Sequence, residues 1–321
     1  MLGVVRRVVQ LIVVLVLVTF FTSVLTSFLT GDPVTSIAPF ASPEQRVEIQ
    51  KQLGLNENVA VRYGKWLGKF VKGDMGREYG GTGVQGLSVW GEVKSSLPRS
   101  LLLMLYVQIL TLLIAVPLGV FTAYRAGKLV DDVANGIAFL LLSIPVFVSA
   151  TLMLLLFSVK NVLFHLPSYG WVSFGANPAQ HFSHLVMPVI AITIGQIAIY
   201  SRLLRSDMVA TLQEDYILMA KSKGISDSRI LWCHALRPSS LTLLTVAGIN
   251  VGQLISGALV VEVIFHLNGI GQALYSAISR RQYIAIQDFV AVIAIAYVVV
   301  NFAVDALYRV LDPRIRGARI G

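Results

Sequence analysis

The 321-residue chain is 55% hydrophobic and only 13% charged, whereas an ordinary soluble domain carries about a quarter charged residues. The charges lie in loops between long apolar stretches, which indicates an integral membrane protein. The net charge of +9 comes with no basic stretch interleaved with aromatic residues, which argues against nucleic-acid binding and favours basic loops beside a membrane. The single cysteine, Cys233, excludes a disulfide framework within the chain.

Long apolar runs predict an all-α integral membrane protein with six transmembrane helices. The first run, Val8–Leu29, follows two arginines but is longer than the apolar region of a signal peptide, so we expect an uncleaved helix. The other five predicted spans are Ser100–Tyr124, Val133–Val159, Leu185–Ser201, Ser239–Val261 and about Asp288–Leu307.

A polar segment, residues 31–99, separates the first two spans. Its "SPEQRVEIQKQLGL" predicts a helix with Ser42 as the cap and Pro43 at the first helical position. Its "VAVRYGKWLGKFVKGDMG" predicts a second, amphipathic helix that ends at Gly73. We expect a glycine-rich loop over 76–91.

The distribution of Lys and Arg predicts the orientation. With a cytoplasmic N-terminus, fourteen of the 26 basic residues fall on the inside and three in short outside loops. The other nine lie in the 31–99 segment, which is long enough to be exempt from the rule. We therefore expect both termini in the cytoplasm. The predicted domains are an N-terminal helix at 1–30, an extracytoplasmic insertion at 31–99 and a five-helix core at 100–321.

A second polar segment, residues 206–238, separates the fourth and fifth spans and faces the cytoplasm in this orientation. Its first half predicts a helix over Leu212–Ser222 that Gly224 ends, and its second half predicts a helix capped by Ser226 or Asp227. The apolar faces are expected from Ile217, Leu218 and Met219 in the first helix, and from Ile230, Leu231 and His234 in the second. Such a pair forms a compact knob for a partner's groove, or alternatively lies flat in the lipid interface.

Several motifs are absent from the sequence. There is no G-x-x-x-x-G-K-[ST] phosphate loop and no spacing typical of a metal site. The spans contain almost no ionisable residues, since the exceptions Glu262 and Asp305 lie near span ends. Ion-driven transporters usually carry such residues inside the bilayer. We therefore expect that any energy for uphill transport comes from another subunit.

The 206–238 segment also resembles a known sequence. "YILMAKSKGISDSRILWCHALR" is similar to the EAA loop of ABC-importer permeases, in the form "YVRTARAKGLS…HALRN" of the dipeptide/oligopeptide/nickel family. The resemblance extends over almost the whole chain, from "RRVVQLIVVLVLVTFF…TGDP" to "VDALYRVLDPRIR". "GALVVEVIFHLNGIGQALYSAISRRQY" resembles "GAVVVETVFSWPGLGRLLVDAI…RDYP", with Asn268 in place of the family's usual proline.

This resemblance implies a type I ABC-importer permease fold in the cell membrane. It implies a second homologous permease, two ATP-binding subunits that hold ATP and magnesium, and an extracytoplasmic substrate-binding protein. The chain itself is expected to be non-catalytic, to hold no cofactor or metal, and to contact membrane lipid but no nucleic acid. Residues expected to couple it to the ATPase are Asp215, Tyr216, Ala220, Lys223, Gly224, His234 and Arg237.

Two smaller groups of residues are candidates for other roles. The amides of Gln196, Asn250 and Gln253 are candidates for the translocation path, and hydrogen bonding between helices is the alternative. Glu262, Gly269 and Gly271 are expected to support an outer loop, although Glu262 at a helix end could simply contact water.

Peptides are the expected cargo, and nickel, glutathione-like compounds and haem are the alternatives. A membrane scaffold that recruits a cytoplasmic partner is a rival function, and an ion-driven transporter is another. The scaffold predicts no polar face inside the spans, whereas the three amides supply a modest one.

Overall fold

The computed structural model describes residues 2–28, 34–35, 38–54, 57–79, 85–159 and 165–311. The chain divides into two compact units, one formed by residues 1–100 and 268–299, the other by 101–267 and 300–321. Helices dominate both units, and the first is α1 (Leu2–Ser27).

Both helices predicted in the 31–99 segment are present, as α2 (Pro43–Leu53) and α3 (Val59–Val71). Ser42 begins α2 with a capping box, because its Oγ accepts a hydrogen bond from Gln45 N while Gln45 Oε1 accepts one from Ser42 N. The chain leaves α3 through Gly73, whose φ of +82° lies in the left-handed region.

Within the glycine-rich loop expected over 76–91, the described residues form a small antiparallel pair of strands, β1 (Arg77–Tyr79) and β2 (Gln85–Ser88), and a helix begins directly after β2. Residues 80–84 of the expected loop lie outside the described part of the chain. That helix, α4 (Val89–Tyr124), begins well before the predicted span. The side chains buried along its polar start recur at helical spacing, and they are Val89, Val93, Ser96 and Ser100. A buried stripe of this kind extends a membrane helix into sequence that is too polar to be recognised as a span.

Two aromatic residues attach α3 to its neighbours in the first unit. The hydroxyl of Tyr63 lies 2.9 Å from Thr19 Oγ1 on α1 and donates to the carbonyl of Val16 at 3.1 Å. Trp66 Nε1 donates to Asp288 Oδ1 at 2.8 Å. The 31–99 segment is therefore packed against the first and last long helices of the chain.

The remaining helices follow in chain order. They are α5 (Leu129–Leu142), α6 (Val146–Leu154) with a π-helical turn at Leu155–Val159, α7 (Pro178–Thr211), α8 (Asp215–Ser222), a short turn at Asp227–Arg229 with π-helical Ile230–Ala235, α9 (Leu236–Phe265), α10 (Ile270–Ser279) and α11 (Tyr283–Leu311).

Three of the described helices are long and apolar enough to cross a membrane, namely α4, α7 and α11 over Tyr283–Val304. Two bent pairs meet the same test together, α5 with Val146–Val159 and Asp227–Gly252 with Gly257–Phe265. Within α1, Ile12–Ser27 is a shorter apolar helix. The chain is thus a helical membrane protein, and the count of six spans stays a prediction.

The third predicted span, Val133–Val159, differs from the expected single helix. It is two helices, α5 and α6, that meet at an angle of 92°. Pro145 lies at the break, lacks an amide hydrogen and disfavours helical geometry at Ile144. Its carbonyl instead accepts from the amides of Val148 and Ser149 and starts α6.

Gly119 marks a close approach between α4 and α7. A Cβ atom on Gly119 would lie 3.0 Å from the carbonyl oxygen of Ser201 and 3.1 Å from Leu204 Cβ. Backbone atoms in a packed helix pair cannot move aside cheaply, so the contact requires glycine.

We predict that Gly119→Ala costs about 1–3 kcal/mol of stability and lowers the thermal unfolding midpoint of the purified protein. Gly136→Ala is the matched control, because no atom lies within 4 Å of its Cβ position. It should leave the midpoint unchanged or raise it, since alanine favours helix over glycine. Equal midpoints for the two variants would contradict the close approach.

Candidate functional site

The 206–238 segment contains the helix that the sequence predicts, shortened at its start. The helix α8 begins at Asp215 rather than at Leu212, which lies in a turn after α7. The amide of Leu212 donates to Met208 at 2.8 Å, so this turn closes α7 instead of opening α8.

Gly224 ends α8, as predicted, in a Schellman motif. Its φ is +75°, its amide donates to the carbonyl of Lys221 at 2.9 Å, and the amide of Ile225 donates to Ala220 at 3.2 Å. No atom lies within 4 Å of the position of a Cβ on Gly224. Its backbone conformation, and not lack of space, therefore favours glycine here.

Only one of the three residues expected on the apolar face of α8 is buried. Ile217 is 0% exposed and Ala220 is 6% exposed, whereas Leu218 and Met219 are 54% and 58% exposed. Three consecutive residues span about 200° of a helix, so they cannot share one face. The expectation that these three residues share one apolar face was therefore wrong, because Ile217 faces the core while Leu218 and Met219 lie on the exposed side.

The buried face of α8 joins a core formed by the long helices of the second unit. Ile217 and Ala220 pack in one cluster with residues of α4, α7 and α9. The members contributed by those helices include Ala115, Val120, Tyr200, Leu204, Met208, Leu243 and Ala247. The inner face of α8 is therefore part of one close-packed core that also contains residues of three long helices.

The second half of the segment is continuous with α9. Ser226 is the N-cap residue of the turn Asp227–Arg229, as expected, and the chain then passes through the π-helical turn into α9 without a break. Ile230 is buried, while Leu231 and His234 are partly buried. The second predicted helix is therefore the start of the helical stretch that continues as α9.

Polar contacts tie the segment to its surroundings at two further points. The hydroxyl of Tyr124, the last residue of α4, donates to Asp227 Oδ2 at 2.9 Å. Thr211 Oγ1 lies 2.9 Å from Ser239 Oγ, which links the end of α7 to the start of α9. The segment is thus held in place by the buried face of α8, by its direct continuation into α9 and by these hydrogen bonds.

Most predicted coupling residues lie on the free surface of the segment. Ala220 is buried, His234 is partly buried with Nδ1 3.2 Å from the carbonyl of Arg229, and Asp215, Tyr216, Lys223, Gly224 and Arg237 are exposed. Partial burial and, to a smaller extent, the Glu214 carboxylate raise the pKa of the Tyr216 phenol. Trp232, a large apolar residue that no sequence motif singled out, is also exposed, by 46%.

An ion pair next to this segment, with a buried carboxylate and a partly exposed guanidinium, was not expected from the sequence. Arg205 on α7 donates from Nε and Nη2 to the two carboxylate oxygens of Asp131 in the first turn of α5. Asp131 also accepts from Gly127 N and Asn135 Nδ2, each at 3.0 Å. Asp131 and Arg205 are 74 residues apart, so no local pattern signals their pairing.

The candidate path residues do not share one environment. Asn250 is buried and interacts with the hydroxyl of Tyr200, which also donates to Gln108 Oε1 at 3.3 Å. Gln196 lines a cavity of about 160 Å³ beside the α5–α6 break, and its Oε1 has no partner among the described residues. The side chain of Gln253 lies outside the described part of the chain. Among the described residues, no group of three His, Cys, Asp or Glu could hold a metal ion.

The three outer-loop candidates follow one another across the end of α9. Glu262 is buried, and its carbonyl accepts from the amide of Leu267 at 3.0 Å. Gly269 is the N-cap of α10, and Gly271 is buried within that helix. Asn268 has φ +53° and its amide donates to Gln272 Oε1 at 2.7 Å, a conformation and a bond that proline does not allow. The loop therefore has a shape that the family's usual proline forbids.

Comparisons with known proteins match this architecture. The family model described as "Binding-protein-dependent transport system inner membrane component" matches residues 115–317, and an N-terminal model for the same systems matches residues 1–91. The chain belongs to this family. It is accordingly a multi-pass membrane component of a transport system, as the resemblance of the 206–238 segment implied.

Several curated relatives cover most of the chain. A putative peptide transport system permease protein of Brucella abortus is 34% identical over 98% of this chain and 98% of its own. The oligopeptide transport system permease protein AppB of Bacillus subtilis is 33% identical over 89% of this chain and 90% of its own.

A solved structure supports the fold. A chain of the MetNI methionine ABC transporter, in inward-facing conformations, matches with a TM-score of 0.53 at 16% identity. The match covers 69% of this chain and 96% of the solved chain. The fold is therefore that of an ABC-importer permease.

We predict that Arg205→Leu destabilises this permease strongly, by about 3–5 kcal/mol, because it leaves the Asp131 carboxylate buried without its cation. The double variant Asp131→Asn/Arg205→Leu should recover part of the loss, since asparagine carries no charge to strand. Thermal unfolding of the purified complex measures both. A double variant no more stable than Arg205→Leu alone would contradict a coupled pair.

Proposed function

We propose that the chain forms, with a second homologous permease, the path by which an ABC importer moves peptides into the cell. In this proposal both termini and the 206–238 segment lie in the cytoplasm, and the 31–99 segment lies outside. Two partner ATPases bind ATP and magnesium and supply the energy, and an extracytoplasmic binding protein delivers the cargo. The chain itself is not catalytic and holds no cofactor.

The observation that carries the coupling role is the two-sided character of α8. One side, through Ile217 and Ala220, is packed among the long helices. The other side exposes Tyr216, Leu218 and Met219, an apolar surface suited to a groove on another protein. A helix with both properties can transmit a partner's movement to the spans.

Peptide cargo is supported by the names of the relatives. Besides the Brucella and Bacillus proteins, a di/tripeptide transport system permease protein, DppB of Pseudomonas aeruginosa, is 31% identical over 91% of this chain. A peptide also carries backbone amides and carbonyls that need hydrogen-bonding partners inside a bilayer, and an uncharged amide such as Gln196 offers both a donor and an acceptor.

The proposal predicts ATP-dependent accumulation of peptide by proteoliposomes that contain the two permeases, the ATPases and the binding protein. A labelled dipeptide and a labelled pentapeptide test peptide cargo, while nickel, glutathione and haem in parallel test the alternatives. Accumulation of an alternative compound without either peptide would refute peptide cargo. Failure to accumulate any of these compounds would favour a scaffold, and accumulation that does not depend on ATP would favour an ion-driven transporter.

The coupling role predicts a graded effect at Gly224. Gly224→Asn should retain most peptide uptake, because asparagine tolerates positive φ, whereas Gly224→Val should reduce uptake about tenfold or more through a distorted α8 end. Uptake and co-purification of the ATPase subunits are measured together. Normal values of both for Gly224→Val would contradict the coupling role.

An amide that lines the translocation path and an amide that holds helices together predict different effects when each is replaced by leucine. Gln196→Leu removes the amide that lines the cavity, so peptide uptake should fall about tenfold without loss of thermal stability. Asn250→Leu removes a partner of the Tyr200 hydroxyl, so the unfolding midpoint should fall. If Gln196→Leu transports peptide normally, the path lies elsewhere.

A further inference from the structure

A second cavity lies in the first unit, whereas the 206–238 segment and Gln196 belong to the second unit. It has a volume of about 320 Å³, within the range of pockets that hold small molecules. The end of α2, one side of α3 and the start of α11 line it. None of the functions assigned above uses it.

The lining of this α2–α3–α11 cavity is rich in charge. Four basic residues contribute to it, Lys51, Arg62, Lys65 and Lys69, against the carboxylates of Glu57 and Asp74. Lys65 Nζ pairs with Glu57 Oε1. The excess of basic residues favours an anionic group in the cavity, and the Trp66 side chain adds an apolar wall.

Two buried polar atoms of opposite character belong to residues that line this cavity. Gln287 is 7% exposed, and its Nε2, a donor, has no hydrogen-bond partner among the described residues. Glu57 Oε2, an acceptor, is also buried and has no partner there. A buried polar atom without a partner is costly, so such atoms often mark a site for a ligand.

We propose that the α2–α3–α11 cavity binds a short zwitterionic peptide. The carboxylate of the ligand accepts from Gln287 Nε2 and is attracted by the basic residues, and its ammonium group donates to Glu57 Oε2. A ligand without the carboxylate leaves Gln287 Nε2 without a hydrogen-bond partner, and a ligand without the ammonium group leaves Glu57 Oε2 without one. The inference rests on the proposed peptide function, and it adds a reception site in the 31–99 segment that is separate from the path through the spans.

The test uses the complete transporter, with both permeases and the ATPases but without binding protein, and titrates it with dialanine by calorimetry. Glu57→Gln and Gln287→Leu should each weaken dialanine binding about tenfold or more. Acetylated dialanine lacks the ammonium group, so Glu57→Gln should not weaken its binding further. Dialanine amide lacks the carboxylate, so Gln287→Leu should not weaken its binding further.

Two lysine variants distinguish binding inside the cavity from nonspecific electrostatic attraction. Lys69 lines the cavity, whereas Lys72, one turn further along the same helix end, does not. Lys69→Gln should weaken dialanine binding several-fold and Lys72→Gln should not. Equal effects of these two lysine variants would overturn the proposed site for a zwitterion. Equal binding of dialanine and its blocked forms would also overturn it, as would dialanine binding that Glu57→Gln and Gln287→Leu leave unchanged.

Uptake assays with binding protein distinguish this inference from the proposed function. If the transporter accumulates peptide but its dialanine binding ignores Glu57 and Gln287, the cavity assignment alone is wrong. The opposite outcome is that the transporter accumulates no peptide while each variant still weakens dialanine binding and has no further effect on the ligand that lacks the matching group. In that case the proposed cargo alone is wrong.

Discussion

The burial of Ile217 and Ala220 among α4, α7 and α9 is the contact on which the account of this permease depends. A short helix of eight residues has little stability of its own, so α8 exists because its inner face is packed. The same packing leaves its outer face free and makes α8 an extension of the long helices. Gly224 then reverses the chain within one turn, and the segment returns directly into α9 without a flexible linker.

Polar contacts near this core fix the arrangement of the helices more specifically than apolar packing does. The Asp131–Arg205 pair joins α5 to α7, and Tyr124 joins α4 to Asp227. A buried ion pair contributes little net stability relative to apolar residues, but it penalises every arrangement that separates the two charges. Together with the close approach at Gly119, these contacts restrict α7 to one position against its neighbours.

Local patterns in the sequence predicted the features that depend on local chemistry. The Ser42 cap, the end of α3 at Gly73 and the turn at Gly224 each follow from a few adjacent residues. Features that depend on distant partners were missed or misplaced. The early start of α4 relies on burial of Val89, and the exposure of Leu218 depends on which face of α8 meets the core. Hydropathy alone could not reveal the 92° break at Pro145, because proline is tolerated within many membrane helices.

The central claim is that α8 moves as one body with the long helices. Spin labels at Ser206→Cys on α7 and Ser222→Cys on α8, with Cys233→Ser, place one probe on each side of the turn, and all three positions are exposed. Pulsed electron resonance then measures their separation in the assembled transporter with and without ATP. The account predicts a distance that stays constant to within about 2 Å in both states. A nucleotide-dependent change of about 5 Å or more, the length of a helical turn, would show that α8 moves independently and would contradict the account.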